Sequence, residues 1–144
     1  MSKHANVFTR LFCRSMTPLP ADPGCLRREG DTALVDLARA PELGPPGGAL
    51  RLEDPGLPDR LLLVHGLAGE YRCFANHCAC GGFRVDPVPG KDAIQCCTLG
   101  GSKYDAAGER TGGPAKHALV RYPVTLAEGT LRIDLATPSQ PKQR

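Results

Sequence analysis

Four of the seven cysteines fall within one stretch, Cys78 to Asp105, as Cys78, Cys80, Cys96 and Cys97. Thiolates are soft metal ligands and redox groups, and two short Cys-bearing loops can close several of them around a single centre. A Pro- and Gly-rich insert separates the two pairs, and glycines follow each of them, Gly81 and Gly82 after the first and Gly100 and Gly101 after the second. Glycine lets backbone approach a bound group closely. Metal or cluster binding is therefore the leading reading. Zinc on Cys78, Cys80, Cys97 and one further thiolate or imidazole is a second. Disulfide chemistry at Cys96–Cys97 or Cys78–Cys80 ranks last, because neither spacing is the usual C-x-x-C of redox disulfides.

Short strands must position these loops. Apolar and β-branched runs bounded by turn residues predict strands at 32–38, 48–54, 60–66 and 71–78, the last leading directly into the first Cys loop. Residues 67–70 read as a turn. Beyond the second loop, 116–126 and 130–135 predict a closing hairpin around Ala127–Gly129. The expected organisation is an N-terminal arm over 1–30, one domain over 31–136 with its loops at about 77–105, and a flexible polar tail over 137–144. In the arm, Val7, Phe8, Leu11 and Phe12 recur at helical spacing, so Ala5–Met16 reads as a short amphipathic helix. It serves either as a covering arm or as a docking or dimerisation element that would make a homo-oligomer. Cys13 and Cys25 lie far from the loops and read as incidental thiols.

Composition narrows the function. The chain holds 144 residues with 17 glycines, 14 prolines and no tryptophan, which favours a loop-rich, mainly β domain over a helical bundle. No apolar run reaches the roughly 20 residues of a membrane span, and no signal-like apolar core opens the chain, so the expected location is cytoplasmic and no membrane partner is expected. The formal charge is only +3 and the basic residues are scattered, which gives no footprint for nucleic acid. Nucleotide loops, an HExxH helix and a GxSxG elbow are absent. Asp86, Asp92 and Glu109 read as isolated loop carboxylates with no acid–base partner, and His65, inside an apolar strand, reads as a packed histidine.

From Leu61 to Val124 the order of features resembles the Rieske iron–sulfur domain. That family has a first loop C-x-H followed by glycine, a second loop C-x-x-H-G-S-x-[FY]-D, and a Gly-Pro-Ala segment that shields the cluster. Cys78-Ala79-Cys80 matches the first loop, Cys97 through Ser102, Tyr104 and Asp105 the second, and Gly113-Pro114-Ala115 the shield. The resemblance implies a mainly β fold, a Rieske-like antiparallel β-sandwich with a small cluster-binding subdomain made of the two Cys loops.

The family holds one iron by two cysteines and the other by two histidines. Cys78 and Cys97 fill the cysteine positions, but Cys80 and Gly100 stand at both histidine positions, so a standard Rieske centre cannot form. The loop disulfide of the high-potential members is absent too, with Phe83 and Leu99 in its place, as in the ferredoxin-like branch. The resemblance then implies a [2Fe–2S] cluster on Cys78, Cys80 and Cys97. Cys96 is the first choice for a fourth ligand because such sites are most often all-cysteine, with His77, Cys73 and His117 as the others. A Cys96 facing away from Cys97 across its strand would instead leave an iron open.

Ser102 and Tyr104 match the residues that hydrogen-bond a bridging sulfide and a cysteine sulfur in the family. Turn formation and core packing are their alternative roles. Thiolate in place of imidazole disfavours reduction and places the expected potential nearer the roughly −400 mV of plant-type ferredoxins. The resemblance implies a small electron-transfer protein, or the electron-transfer subunit of an oxidoreductase, working with a reductase or oxidoreductase partner rather than as a stand-alone enzyme. Its alternative is a cluster-free Rieske-fold binding subunit.

Overall fold

The computed structural model describes residues 15–79, 82–97 and 101–139. Among these, the strands in chain order are β1 (Leu26–Glu29), β2 (Thr32–Asp36), β3 (Ala49–Leu52), β4 (Leu61–His65), β5 (Tyr71–Ala75) and β6 (Val85–Pro87), then β7 (Ala93–Cys96), β8 (Lys103–Asp105), β9 (Arg110–Gly112), β10 (Arg121–Tyr122), β11 (Val124–Ala127) and β12 (Thr130–Asp134). They form three four-stranded antiparallel sheets, in the orders β1-β2-β12-β11, β10-β5-β4-β3 and β6-β7-β8-β9. The only helical pieces among the described residues are three 3-10 turns at Pro23–Cys25, Leu37–Arg39 and Pro41–Leu43.

The continuous apolar run of β4 explains the layering. A strand that is polar on alternate positions covers one face, whereas a continuous apolar strand must be covered on both. Leu61 and Leu63 point into one cluster with Ala33 and Val35 of β2 and Leu131 and Ile133 of β12. Leu62 points the other way, with Ala49, Phe74, Val85, Ile94 and Tyr104. The β3–β5 sheet is thus the middle layer, packed by the first sheet on one face and by the Cys-bearing sheet on the other. Each fully buried Leu contributes about 1.5–3 kcal/mol of transfer free energy, so both interfaces are substantial.

The expected strands at 32–38, 48–54, 60–66, 71–78 and 130–135 all form, each shorter than its sequence window. The turn between β11 and β12 places Glu128 and Gly129 at φ 53 and 76, the left-handed pair of a type I′ hairpin.

One expectation changes, and both ends of the expected domain make contacts. The run 116–126 is two strands, because Pro123 breaks it and sends β10 to the middle sheet and β11 to the first. The chain ahead of Asp31 also packs on the fold. β1 pairs with β2, Cys25 is buried in the core, and Arg51 holds Pro18 O by its N–H at 2.8 Å and Thr17 O by its Nε at 2.6 Å. The start of the tail is also bound, since Ser139 N–H donates to Arg121 O at 2.7 Å and Ser139 Oγ accepts from Arg121 N–H at 2.8 Å. The amphipathic segment expected over Ala5–Met16 lies outside the described residues except for its last two positions.

Candidate metal centre

The first Cys loop leaves β5 and returns as β6. It closes on itself through Cys78 N–H to Phe83 O at 2.6 Å and Gly82 N–H to Cys78 O at 2.8 Å. Asn76, fully buried at its base, accepts the Val85 N–H on Oδ1 at 2.7 Å, tying the outgoing limb to the returning strand. The second loop leaves β7 and returns as β8. Cys97 N–H reaches across to Arg84 O at 2.9 Å, and Cys96 N–H to Ser102 O at 2.9 Å, so the two loops are stitched together at their roots.

Three of the expected site residues come together on that stitched base. Tyr104 Oη lies 3.3 Å from Cys78 Sγ and accepts the Ala79 N–H at 3.2 Å. With its oxygen already receiving that bond, the phenol proton is directed at the sulfur whenever Cys78 is a thiolate. Ser102, also fully buried, accepts the Ala115 N–H on Oγ at 2.7 Å, and its own proton has no acceptor among the described residues. Gly113, at φ 85, lets the Gly-Pro-Ala segment press on Ser102; a Cβ there would collide with Ser102 Cα, so only glycine fits. Arg110 fixes that segment by donating to Gly113 O from Nη2 at 2.6 Å.

The other expected ligands are placed differently. Cys96 lies on the same face of β7 as Ile94, fully buried in the apolar cluster that also holds Cys78 and Tyr104. Cys97 is in a disulfide, so its sulfur becomes a thiolate ligand only after reduction. Cys80 and Gly100 lie outside the described residues, as does Cys13. Among the described residues no three His, Cys, Asp or Glu side chains are grouped to hold a metal ion.

His77 has both ring nitrogens engaged, Nδ1 with Arg60 Nη2 at 3.1 Å and Nε2 with the Asp59 carboxylate. His117 uses Nδ1 on Ala118 O at 2.9 Å. Cys73 is buried in the main core, where desolvation pushes its thiol far up and keeps it protonated. Burial raises Cys25 likewise, consistent with an incidental thiol. His65 packs as expected, stacked on Tyr71 with ring centroids 4.3 Å apart and paired through Nδ1 with Leu43 O at 2.9 Å.

Asp86 is a correction. It is not an isolated loop carboxylate but a buried residue of β6. It accepts from Ser15 Oγ at 2.6 Å, Thr17 Oγ1 at 2.7 Å, Met16 N–H at 3.1 Å and Thr17 N–H at 3.2 Å. Those bonds fasten the start of the described chain to the Cys-bearing sheet. Beside them, Glu53 takes both Arg84 Nε (2.7 Å) and Nη2 (3.0 Å) and also Arg51 Nη1 (3.0 Å). The Arg84 guanidinium is the main cause that holds the Glu53 carboxyl below its ordinary range. Sequence reasoning missed Asp86, Arg84, Asp59 and Arg60 because no periodic spacing links them to their partners.

A groove of about 330 Å³ opens beside Phe74, Val64 and Ile94, but its lining includes none of Cys78, Cys96, Cys97, Ser102 or Tyr104. The chemistry-bearing groups lie elsewhere, and they carry the fit to a [2Fe–2S] group. The Tyr104 phenol facing a buried sulfur, and the buried Ser102 hydroxyl, whose proton has no acceptor among the described residues, are donors suited to negatively charged sulfur. The described side of the site fits the group; the part contributed by Cys80 and Gly100 lies outside the described residues.

No known family profile matches the sequence, and no curated protein matches it. Solved structures do. The ferredoxin of carbazole 1,9a-dioxygenase from Nocardioides aromaticivorans IC177 is 18% identical, with a TM-score of 0.54 over 69% of this chain and 95% of the ferredoxin. A complex of reduced oxygenase and oxidized ferredoxin in carbazole 1,9a-dioxygenase matches with a TM-score of 0.55 and 18% identity, over 71% of this chain and 93% of the matched one. The quaternary ammonium Rieske monooxygenase CntA, in complex with L-carnitine, gives a TM-score of 0.54 and 17% identity over 66% of this chain. This chain spans only 30% of the monooxygenase's length. At such identities the likeness is one of architecture: this chain has the fold of a Rieske-type domain.

Proposed function

We propose that this chain is a one-electron carrier, a ferredoxin-like protein or the electron-transfer subunit of an oxidoreductase. Its loops would hold a [2Fe–2S] cluster mainly through thiolates. The observation that carries the reading is Tyr104 Oη against Cys78 Sγ at 3.3 Å on this fold. Further support comes from the Nocardioides carbazole dioxygenase ferredoxin, matched over nearly its whole length, and from the match to a carbazole dioxygenase complex of oxygenase and ferredoxin. The partner is accordingly a redox protein, a reductase or an oxygenase-type oxidoreductase subunit. We place the protein in the cytoplasm, where a reducing environment keeps thiolates available.

Cys78, Cys80 and Cys97 would hold the group, Cys97 after reduction of its disulfide. Cys96 is the fourth thiolate this reading calls on, and it has to leave the apolar layer beneath the loops to serve. When bound, the group supplies exchange of single electrons. The chain's own residues do the rest. With Cys78 as a thiolate Tyr104 would donate to its Sγ, and Ser102 has a proton with no acceptor among the described residues; both would favour added negative charge. The Gly113–Ala115 segment keeps water off Ser102.

The test is anaerobic purification with visible absorption, EPR of the reduced protein, and iron, sulfide and zinc analysis. The expected result is about two irons and two sulfides per chain with a reduced S = ½ signal. Cys96→Ser should then abolish or alter that signal while Cys25→Ser leaves it unchanged. Colourless protein with one zinc overturns the reading in favour of a structural metal site. Metal-free protein after reconstitution, with the Cys97 disulfide intact, overturns it in favour of a thiol couple or a binding subunit.

A further inference from the structure

The residues just before β4 reach the first Cys loop from below. Arg60 Nη2 donates to Asn76 O at 3.0 Å on the outgoing limb and to Gly82 O at 2.7 Å on the returning limb, and meets His77 Nδ1 at 3.1 Å between them. Arg60 O in turn accepts the Asn76 N–H at 2.8 Å. Guanidinium only donates, so His77 Nδ1 must carry the lone pair and Nε2 the proton, which goes to Asp59. His77 is thus held between Arg60 on Nδ1 and Asp59 on Nε2, and Asp59 also accepts the Arg60 backbone N–H at 2.8 Å. The cluster is only partly shielded, with the His77 and Asp59 side chains 40% and 33% exposed. Arg60 Nε, by contrast, is buried without a hydrogen-bond partner among the described residues.

We propose that Arg60, backed by Asp59 and His77, is the positioning residue of the first Cys loop: it spans both limbs and thereby fixes Cys78 against Tyr104. Among the described residues the two limbs also meet through Cys78 N–H to Phe83 O, Gly82 N–H to Cys78 O and, at their base, Val85 N–H to Asn76 Oδ1. Arg60 adds to them a charged donor that bridges carbonyls on both sides of Cys78, and a charge-assisted bond is stronger than a neutral one. The inference deepens the electron-carrier reading, since a fixed sulfur-to-phenol distance would set the strength of the bond that favours reduction. It does not need the cluster to be tested.

The experiment measures the alkylation rate of each cysteine by peptide mass mapping in reduced, metal-free protein, for wild type, Arg60→Met, Arg60→Lys, Tyr104→Phe and the Arg60→Met/Tyr104→Phe double variant. Loss of a charged hydrogen-bonded brace should raise the Cys78 rate about tenfold or more in Arg60→Met, with Cys25 and Cys73 unchanged as reporters that the core is intact. Lysine, which offers three donors from one nitrogen, should restore most of the protection. If Arg60 acts through the Cys78–Tyr104 contact, the methionine substitution should add less than about twofold in the Tyr104→Phe background.

An unchanged Cys78 rate in Arg60→Met overturns the proposal, as do equal increments in both backgrounds or a parallel rise at Cys25. Iron and sulfide analysis of the same preparations reports separately on the electron-carrier reading. A protein that never loads iron would sink that reading and leave the brace to be judged by its alkylation rates.

Discussion

Leu62 and Leu63 are neighbours on one strand and bury against different worlds. Leu63 enters a cluster built mostly of aliphatic side chains from two sheets whose strands, apart from the two-residue β10, are four or five residues long. Leu62 enters the layer shared with the Cys-bearing sheet, whose strands are three or four residues long and whose interior includes Tyr104, Cys78 and Cys96. The first region is held by area removed from water. The second adds directed bonds, through Asn76, Asp86, Ser102, Tyr104 and the Glu53–Arg84 pair. Non-directional burial stabilises a layer without specifying where a sulfur points, whereas hydrogen bonds fix direction at little net gain in stability.

The largest effect expected from this contrast is at the aliphatic face. Leu63→Ala should cost about 2–5 kcal/mol and lower the denaturation midpoint of the whole chain. Leu62→Ala should cost a similar amount but fall most heavily on the Cys-bearing sheet. Native-state hydrogen exchange would then rise more over residues 93–97 and 103–105 than over 32–36 and 130–134. Equal loss of protection in all three sheets would erase the distinction between the two faces.

Asp86→Ala comes next. It leaves four donors without their acceptor and should cost about 1–3 kcal/mol, with proteolytic cleavage near Ser15–Pro18 as the direct readout. Tyr104→Phe is smaller, about 0.5–1.5 kcal/mol in stability. In cluster-loaded protein the same change should lower the one-electron potential by about 20–60 mV, measured by EPR-monitored titration. A Tyr104→Phe protein with an unaltered potential would reduce the phenol to packing.

Glu53→Gln should have the least effect on stability, about 0.5 kcal/mol, because Arg84 is partly solvated. Its pH signature is more telling. The folded pKa of Glu53 lies below its ordinary 4.5, chiefly through Arg84, so the stabilisation is fully present above that value and is lost as pH falls through the folded pKa. The variant should lack that part of the wild-type decline on acidification below pH 4.5, read from denaturant midpoints across the range. An identical decline in both proteins would assign the acid sensitivity to other carboxylates.

The strands of the middle and first sheets were legible because their signal is local. Continuous or alternating apolar residues in 32–38, 48–54, 60–66 and 130–135 can be satisfied only by burial on two faces or one. The Pro123 break was visible as a residue but not as a change of sheet, because a proline tells where a ladder stops and not where the next segment goes. β1 was missed since Arg27, Arg28 and Glu29 are exposed and carry no apolar pattern. The short strands β6, β7 and β8 fall inside the loops expected at about 77–105, because three or four residues carry too little period to detect.

The sequence by itself determined the chemistry on offer: paired thiols on two glycine-flanked loops, Cys80 and Gly100 where the resemblance calls for imidazoles, and a serine and a tyrosine set to follow the second loop. Only the tertiary structure decided how those groups are held. It put Tyr104 on Cys78, gave Cys96 to the apolar layer, occupied both nitrogens of His77, and fastened Asp86 to Ser15 across a separation of 71 residues. The reason is that a residue's type is written locally. The partner of a buried carboxylate or guanidinium is chosen by the way layers stack, and that leaves no spacing in the chain from which to read it.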